Sequence, residues 1–362
     1  MSTFRYRIAM LSLSLFSFPL VAFADVRYTV KPVGPEGSVP VAINNLGQVV
    51  GFLPRGDGAH AFLYTGTGFV ELGTLGGGSS RAYGINDAGV VVGEAENGAG
   101  TPRAFVYSSG AMSDLGTFGG PSSRASAINN RGQIAGVADS EDGSFAFLYS
   151  TSTGMQNLGA LPGGVSSRAE GVNDEGMVVG GSIVGDSPLP MFHAFLYSAG
   201  SMEDLGPLNG SFSVGQAIND SGQVVGWANA GFGIDHAFLY SAGVMTDLGT
   251  LTGTGSSVAY DINNQGQAVG WSEVANRETR GVMYQGGAVI DISSLIDSSA
   301  GWTVEAAYAI NDYRQIAAFG CKDNFCQALL LDPVSPVPEP QTSILLLAGI
   351  GAISLIRRQK RQ

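Results

Sequence analysis

The sequence is poor in the residues that catalysis and metal binding usually need. Its 362 residues include only two cysteines and three histidines. His60, His193 and His236 each precede Ala-Phe-Leu-Tyr. They hold one position of a repeated unit, spread along the chain, and so cannot converge as a metal cluster or a triad. They read instead as strand-start residues with local hydrogen bonds. No P-loop, no G-x-S-x-G elbow and no helix-opening G-x-G-x-x-G is present, so nothing marks a nucleophile or a phosphate cradle. Ser140-Glu141-Asp142-Gly143 lacks the alternating ligands of a calcium loop. Charged residues are only 13% of the chain. Between the two ends, 12 Lys and Arg stand against 29 Asp and Glu. That balance excludes nucleic acid and anionic lipid as partners of the body, because both require clustered cations. An acidic surface instead keeps an exported protein soluble.

Two short apolar runs stand at the ends. Arg5 and Arg7 precede Ile8 to Phe23, and Ala22-Phe23-Ala24 forms an A-x-A cleavage site. This is the form of a secretory signal peptide, so residues 1–24 are set aside. At the other end Val337-Pro338-Glu339-Pro340 leads into an apolar run, Ser343 to Ile356, and then to Arg357, Arg358, Lys360 and Arg361. As a helix this run spans about 21 Å, against a hydrocarbon core of about 30 Å. With local thinning it is expected as a short transmembrane helix whose basic end faces the cytoplasm. Its shortness suits a temporary anchor. The expected domains are therefore 1–24, a body over 25–335, and a tail over 336–362. In an oxidising compartment Cys321 and Cys326 are expected to form a local disulfide across Lys-Asp-Asn-Phe. No His or third Cys is near them in sequence, so neither a metal nor a cofactor is expected.

The body is rich in glycine, 54 of 362 residues, and it repeats. Ala42 to Gly51 reads AINNLGQVVG and returns at Gly84, Ala127, Gly171, Ala217 and Asp261; a degenerate seventh copy, AINDYRQIAA, starts at Ala309. The first Asn of each copy falls at 44, 86, 129, 173, 219, 263 and 311. Asn-(Asn/Asp)-x-Gly between apolar runs suits a hairpin turn with the Gly at positive φ and the Asn closing an Asx-turn. Arg314 replaces that Gly in the last copy, so its turn is expected to be strained or differently shaped. After each turn come a short strand, an aromatic strand such as His60-Ala61-Phe62-Leu63-Tyr64, and a strand ending Asp-Leu-Gly, as at Met112 to Gly116. Four strands in about 44 residues is the mark of a propeller blade. The fold class expected is an all-β, seven-bladed propeller of four-stranded blades; a parallel β-solenoid is the competing architecture. The lone strand Val26 to Val33 is expected to pair with Ala328 to Leu331 and close the ring, which removes open edges. Phe62 and Tyr64, with their counterparts, are expected as inter-blade core.

One polar constellation recurs without belonging to the turn. Ser79-Ser80-Arg81-Ala82 returns around Arg124 and Arg168. Each Arg begins an innermost strand, beside loops that differ in length. Arg81, Arg124 and Arg168 are therefore candidates for holding an acidic group of a ligand, such as a polysaccharide. The competing reading is that they pair with the body's own carboxylates. No catalytic residue is singled out, and the body is expected not to be an enzyme. An exported hydrolase or lyase acting on polysaccharide is the alternative, and a repeat-breaking buried carboxylate in the channel would favour it.

The repeated HAFLY, DLGTLGG and AINDxGQVVG segments resemble the HAF family of extracellular repeats over nearly the whole body. The tail, with Val337, Pro338, Glu339 and Pro340 before the apolar run and Arg357 and Arg358 after it, resembles the PEP-CTERM sorting signal. That resemblance implies an exosortase as partner, cleavage near Pro338 to Pro340, and an inner-membrane intermediate. It also implies delivery to the cell surface or matrix of an exopolysaccharide-producing Gram-negative bacterium. The function expected is that of a binding or structural propeller of the surface or biofilm matrix, which binds or organises exopolysaccharide, cell wall or another surface protein.

Overall fold

Seven four-stranded antiparallel sheets account for the body of the chain. The computed structural model describes residues 27–334 apart from 57, 186–190 and 232. The leader and the tail, with its expected transmembrane helix, lie outside the described residues. Among those described, no helix is long and apolar enough to cross a membrane. Blade 1 comprises Val39–Ile43, Val49–Arg55, Gly58–Tyr64 and Phe69–Glu71 in that spatial order. Five more blades repeat this order. Their innermost strands are Gly76–Ile85, Ser123–Ile128, Ser167–Val172, Ser213–Ile218 and Ser257–Ile262. Blade 7 has Thr303–Ile310, Ile316–Lys322 and Phe325–Val334, and its fourth strand is Arg27–Pro32 from the start of the body. The register runs from Arg27 opposite Val334 to Pro32 opposite Leu329, and Val33 N–H adds a bond of 3.0 Å to Ala328 C=O. The first and last strands of the body thus close the ring as expected, and the solenoid is ruled out.

Why these residues form blades follows from which side chains are shared. Phe62, Phe105, Phe147, Phe195 and Phe238 have no exposed surface and sit between neighbouring sheets. Leu329 takes the place in blade 7. Each core cluster draws on two adjacent blades, as where Val50 and Ala61 pack with Ala82, Val91 and Phe105. The inner strands carry a bulge, for example between Ala125 and Ala127, which turns the strand toward the axis. The bulge forces a glycine in the next strand. A Cβ on Gly136 would lie 2.0 Å from the Arg124 carbonyl, and Gly51, Gly93, Gly180, Gly226 and Gly270 meet the same obstruction. Blade 7 has Ala318 there, and its inner strand carries bulges between Val304 and Ala306 and between Ala307 and Ala309.

Candidate functional site

The most repeated residues are consumed by the ring itself. In each turn the first Asn accepts backbone N–H groups with its Oδ1, as Asn129 does from Arg131 at 3.1 Å and Gln133 at 2.8 Å. Its Nδ2 donates to the carbonyl of the first Asn in the next blade. These bonds run Asn44 to Asn86, then to Asn129, Asn173, Asn219, Asn263 and Asn311, and back to Asn44, at 2.7–3.2 Å. The second turn residue forms a parallel ring. The backbone N–H of Asn45, Asp87, Asn130, Asp174, Asp220, Asn264 and Asp312 each donates to the side-chain Oδ1 of the next, at 2.8–3.0 Å. The Asx-turn was legible in the sequence; these two inter-blade rings were not. Their signal was present nonetheless. The first position is Asn in all seven copies, while the second is Asn or Asp. An Asx-turn accepts either residue, but only an amide can also donate.

The serine before each inner-strand position is likewise structural. Ser123 Oγ accepts from Ala104 N–H at 2.9 Å and donates to Gly116 C=O at 2.6 Å. Ser80, Ser213 and Ser257 do the same in their blades. One hydroxyl thus ties the HAF strand and the Asp-Leu-Gly end of one blade to the next blade. The Asp of that segment caps its own Gly, as Asp204 does for Gly206 at 2.7 Å. It also meets the strand-start residue: His193 on Asp204 at 2.9 Å, His236 on Asp247 at 2.8 Å, Arg103 on Asp114 at 3.1 Å. The histidines lie in blades 1, 4 and 5 and make these local pairs, as their sequence position suggested. Cys321 and Cys326 are joined in a disulfide across the blade 7 hairpin.

What remains is the channel, where the copies differ. A cavity of about 470 Å³ is enclosed by the inner strands. Blades 6, 7, 1 and 2 give it Tyr260, Tyr308, Phe52 and Tyr83, while blades 3 to 5 give Arg124, Ser126, Glu170 and Gln216. Tyr260 and Tyr308 stack at 5.2 Å with their planes 9° apart, and Trp271 Nε1 donates to the Tyr260 hydroxyl at 3.0 Å. Burial pushes Tyr308 up to about 12 and raises Tyr83 as well, with Glu94 adding to it. Both hydroxyls are therefore protonated at neutral pH, and Tyr83 donates to Glu94 at 2.8 Å.

The three arginines lie on one arc of this channel, and each is stacked and paired. Arg81 lies 5.5 Å from the Phe52 ring and bonds Glu94 at 3.1 Å. Arg124 lies 5.6 Å from Tyr83 and bonds both oxygens of Glu170 at 2.9 and 3.0 Å. Arg168 lies 4.8 Å from Phe192, with Nε 3.0 Å from Glu170; that last contact is an ion pair too poorly aligned to be a hydrogen bond. Only Arg124 lines the cavity directly.

Asp261 is the site residue that sequence reasoning passed over. Its position is Ala42, Gly84, Ala127, Gly171, Ala217 and Ala309 in the other copies. Its Oδ1 accepts from Ile262 N–H at 2.8 Å and its Oδ2 from Ile310 N–H at 2.9 Å. Burial raises it from 3.8 to about 6, against the lowering effect of those two bonds; Asp312 adds a smaller upward push. The break in the repeat was visible, but burial in a channel depends on ring closure.

Comparison with known proteins adds one assignment. Residues 336–361 match the PEP-CTERM protein-sorting motif. The motif implies export, a membrane-anchored intermediate and processing by an exosortase. The chain is therefore a seven-bladed propeller that carries a sorting signal. No curated protein matches it. Similar solved structures include TolB from Acinetobacter baumannii, 12% identical, with TM-score 0.46 over 80% of this chain and 64% of that one. The BP39L lectin from Burkholderia pseudomallei is 10% identical, with TM-score 0.44 over 83% of this chain and 99% of the lectin. A gluconolactonase from Xanthomonas campestris is 10% identical, with TM-score 0.40 over 86% and 95%. This chain thus spans under two thirds of TolB, and likenesses this distant say nothing of activity.

Proposed function

We propose that the mature propeller is a non-enzymatic, HAF-type binding module of the cell surface or matrix, and that its ligand is exopolysaccharide. One observation carries this reading. The repeated turn and serine residues are used up in holding the ring, while side chains that differ between copies line one cavity. That cavity has an aromatic arc for sugar faces and a polar arc for hydroxyls and an acidic group. Arg124 is the cation that lines it, paired with Glu170, and Arg81 and Arg168 stand on the same arc, held by aromatic rings and by Glu94 and Glu170. A hydrolase or lyase acting on polysaccharide is the second reading, favoured by the repeat-breaking carboxylate of Asp261. Glycan-array binding of the purified body, residues 25–335, separates the two. Its core and closing strand both lie within that segment. Retention without product supports the module, and released fragments support the enzyme. Loss of retention is expected when Arg81, Arg124 and Arg168 are all changed to Gln; unchanged retention would remove them from the site.

A further inference from the structure

The innermost strand of each blade has one free edge, and that edge faces the axis. Asn311 N–H bonds Gln315 C=O at 3.0 Å, and the same bond recurs in every blade. In an antiparallel ladder the adjoining pair then points its N–H groups away from the partner strand. That pair is Ile310 with Ile316, and its counterparts begin with Ile43, Ile85, Ile128, Val172, Ile218 and Ile262. Asp261 shows where these groups point, since its two oxygens accept from two of them, Ile262 and Ile310. By the same alternation the other five N–H groups point off the free edge of their strands, toward the axis. These residues also form the boundary between two cavities. Ile43, Ile85, Ile128, Val172 and Ile218 line both the 470 Å³ chamber and a smaller cavity of about 200 Å³ among the Asn turns. The chamber therefore has a floor, made of backbone donors and one carboxylate.

We propose that this floor seats the terminal residue of a polysaccharide chain, with Asp261 accepting from its hydroxyls and the collar N–H groups donating to them. The inference rests on the binding reading above and narrows it to chain ends. Donors beside a single acceptor match the paired hydroxyls of a sugar, each of which both donates and accepts. An anion suits the floor poorly, because Asp261 and the turn carboxylates Asp87, Asp174, Asp220 and Asp312 surround it. An internal stretch of polymer suits it poorly as well, because Ile43, Ile85, Ile128, Val172 and Ile218 stand between the chamber and the smaller cavity. The aromatic arc then flanks the terminal ring, and Arg124 and Glu170 stand over the next residue.

The test uses the purified body on immobilised exopolysaccharide, with free glucose, mannose, galactose and rhamnose as competitors. One of these monosaccharides is expected to displace the polymer. Asp261→Asn keeps one acceptor oxygen but sets its Nδ2 against the N–H of Ile262 or Ile310, so its melting is compared with the parent's first; it is expected to weaken that displacement roughly tenfold, the loss of one charge-assisted hydrogen bond. If the polymer binds but none of the four competes, or if Asp261→Asn competes like the parent, chain-end recognition is wrong while the module reading stands. If no polymer is retained at all, the module reading itself fails. The competition on the parent protein needs no variant to fold.

Discussion

At the scale of single residues, chemistry explains why one turn position is invariant and its neighbour is not. Asn129 uses its oxygen for its own turn and its nitrogen for both Gln133 at 2.8 Å and the next blade at 2.7 Å. Asn129→Asp keeps the shape but puts an oxygen against the Asn173 carbonyl. A loss of roughly 3 kcal/mol in denaturant unfolding is expected, and a value near zero would refute the ring as a source of stability. Arg314 lies at φ 65°, close to Gly47 at 71° and Gly132 at 78°. Of the two outcomes open in the sequence, a strained turn or a different one, strain is what occurs. Arg314→Gly should therefore raise stability by about 1 kcal/mol. Asp261 supplies a pH dependence. Its pKa is raised on folding to about 6, so its contribution is fullest below the unfolded value and is lost as pH rises through about 6. The parent should gain on Asp261→Asn by about 2 kcal/mol between roughly pH 7.5 and pH 4. Parallel melting profiles of the two proteins would contradict this.

At the scale of elements, blade 6 departs from the others at the start of its second strand. The second strand begins with Val49, Val91, Ile134, Val178, Val224 and Ile316 elsewhere, and with Ala268 here. A cavity of about 140 Å³ lies beside Ala268, lined also by Val225, Leu239 and Tyr284. Ala268→Val restores the methyl groups of the other blades. It is expected to add about 1 kcal/mol, read as a higher thermal midpoint; a lower one would mean the space is already closed by packing. The strands themselves were legible, because their alternation and their turn residues agree. The double bulge of blade 7 was not. Register there is set by contacts between Thr303–Ile310 and Ile316–Lys322 and not by a pattern along one strand.

At the scale of the whole molecule, closure by the first strand makes the body a unit with no unpaired start or finish. Its last residues lead into the sorting motif at 336–361. The apolar run there, Ser343 to Ile356, is short for a permanent anchor. We propose that it holds the chain only until cleavage near Pro338 to Pro340. Intact-mass measurement of surface-released protein should therefore lack Leu345 to Gln362. Finding that segment on the released protein would refute temporary anchoring.

Seven copies of a four-strand pattern, a lone strand at the start and three at the end set the blade number and the closure, because each blade must bury both faces against neighbours. Repeat spacing alone is enough for both. The histidines could be placed in local pairs for the same reason: a repeated position cannot converge. Only the tertiary structure decided which residues share the channel. Asp261 is one substitution among many along the chain, and it becomes a half-buried acceptor only when blades 6 and 7 bring the N–H groups of Ile262 and Ile310 onto its two oxygens. Arg124 likewise meets Glu170 from the next blade. Contacts across the ring depend on curvature and bulges, which repeat spacing does not encode.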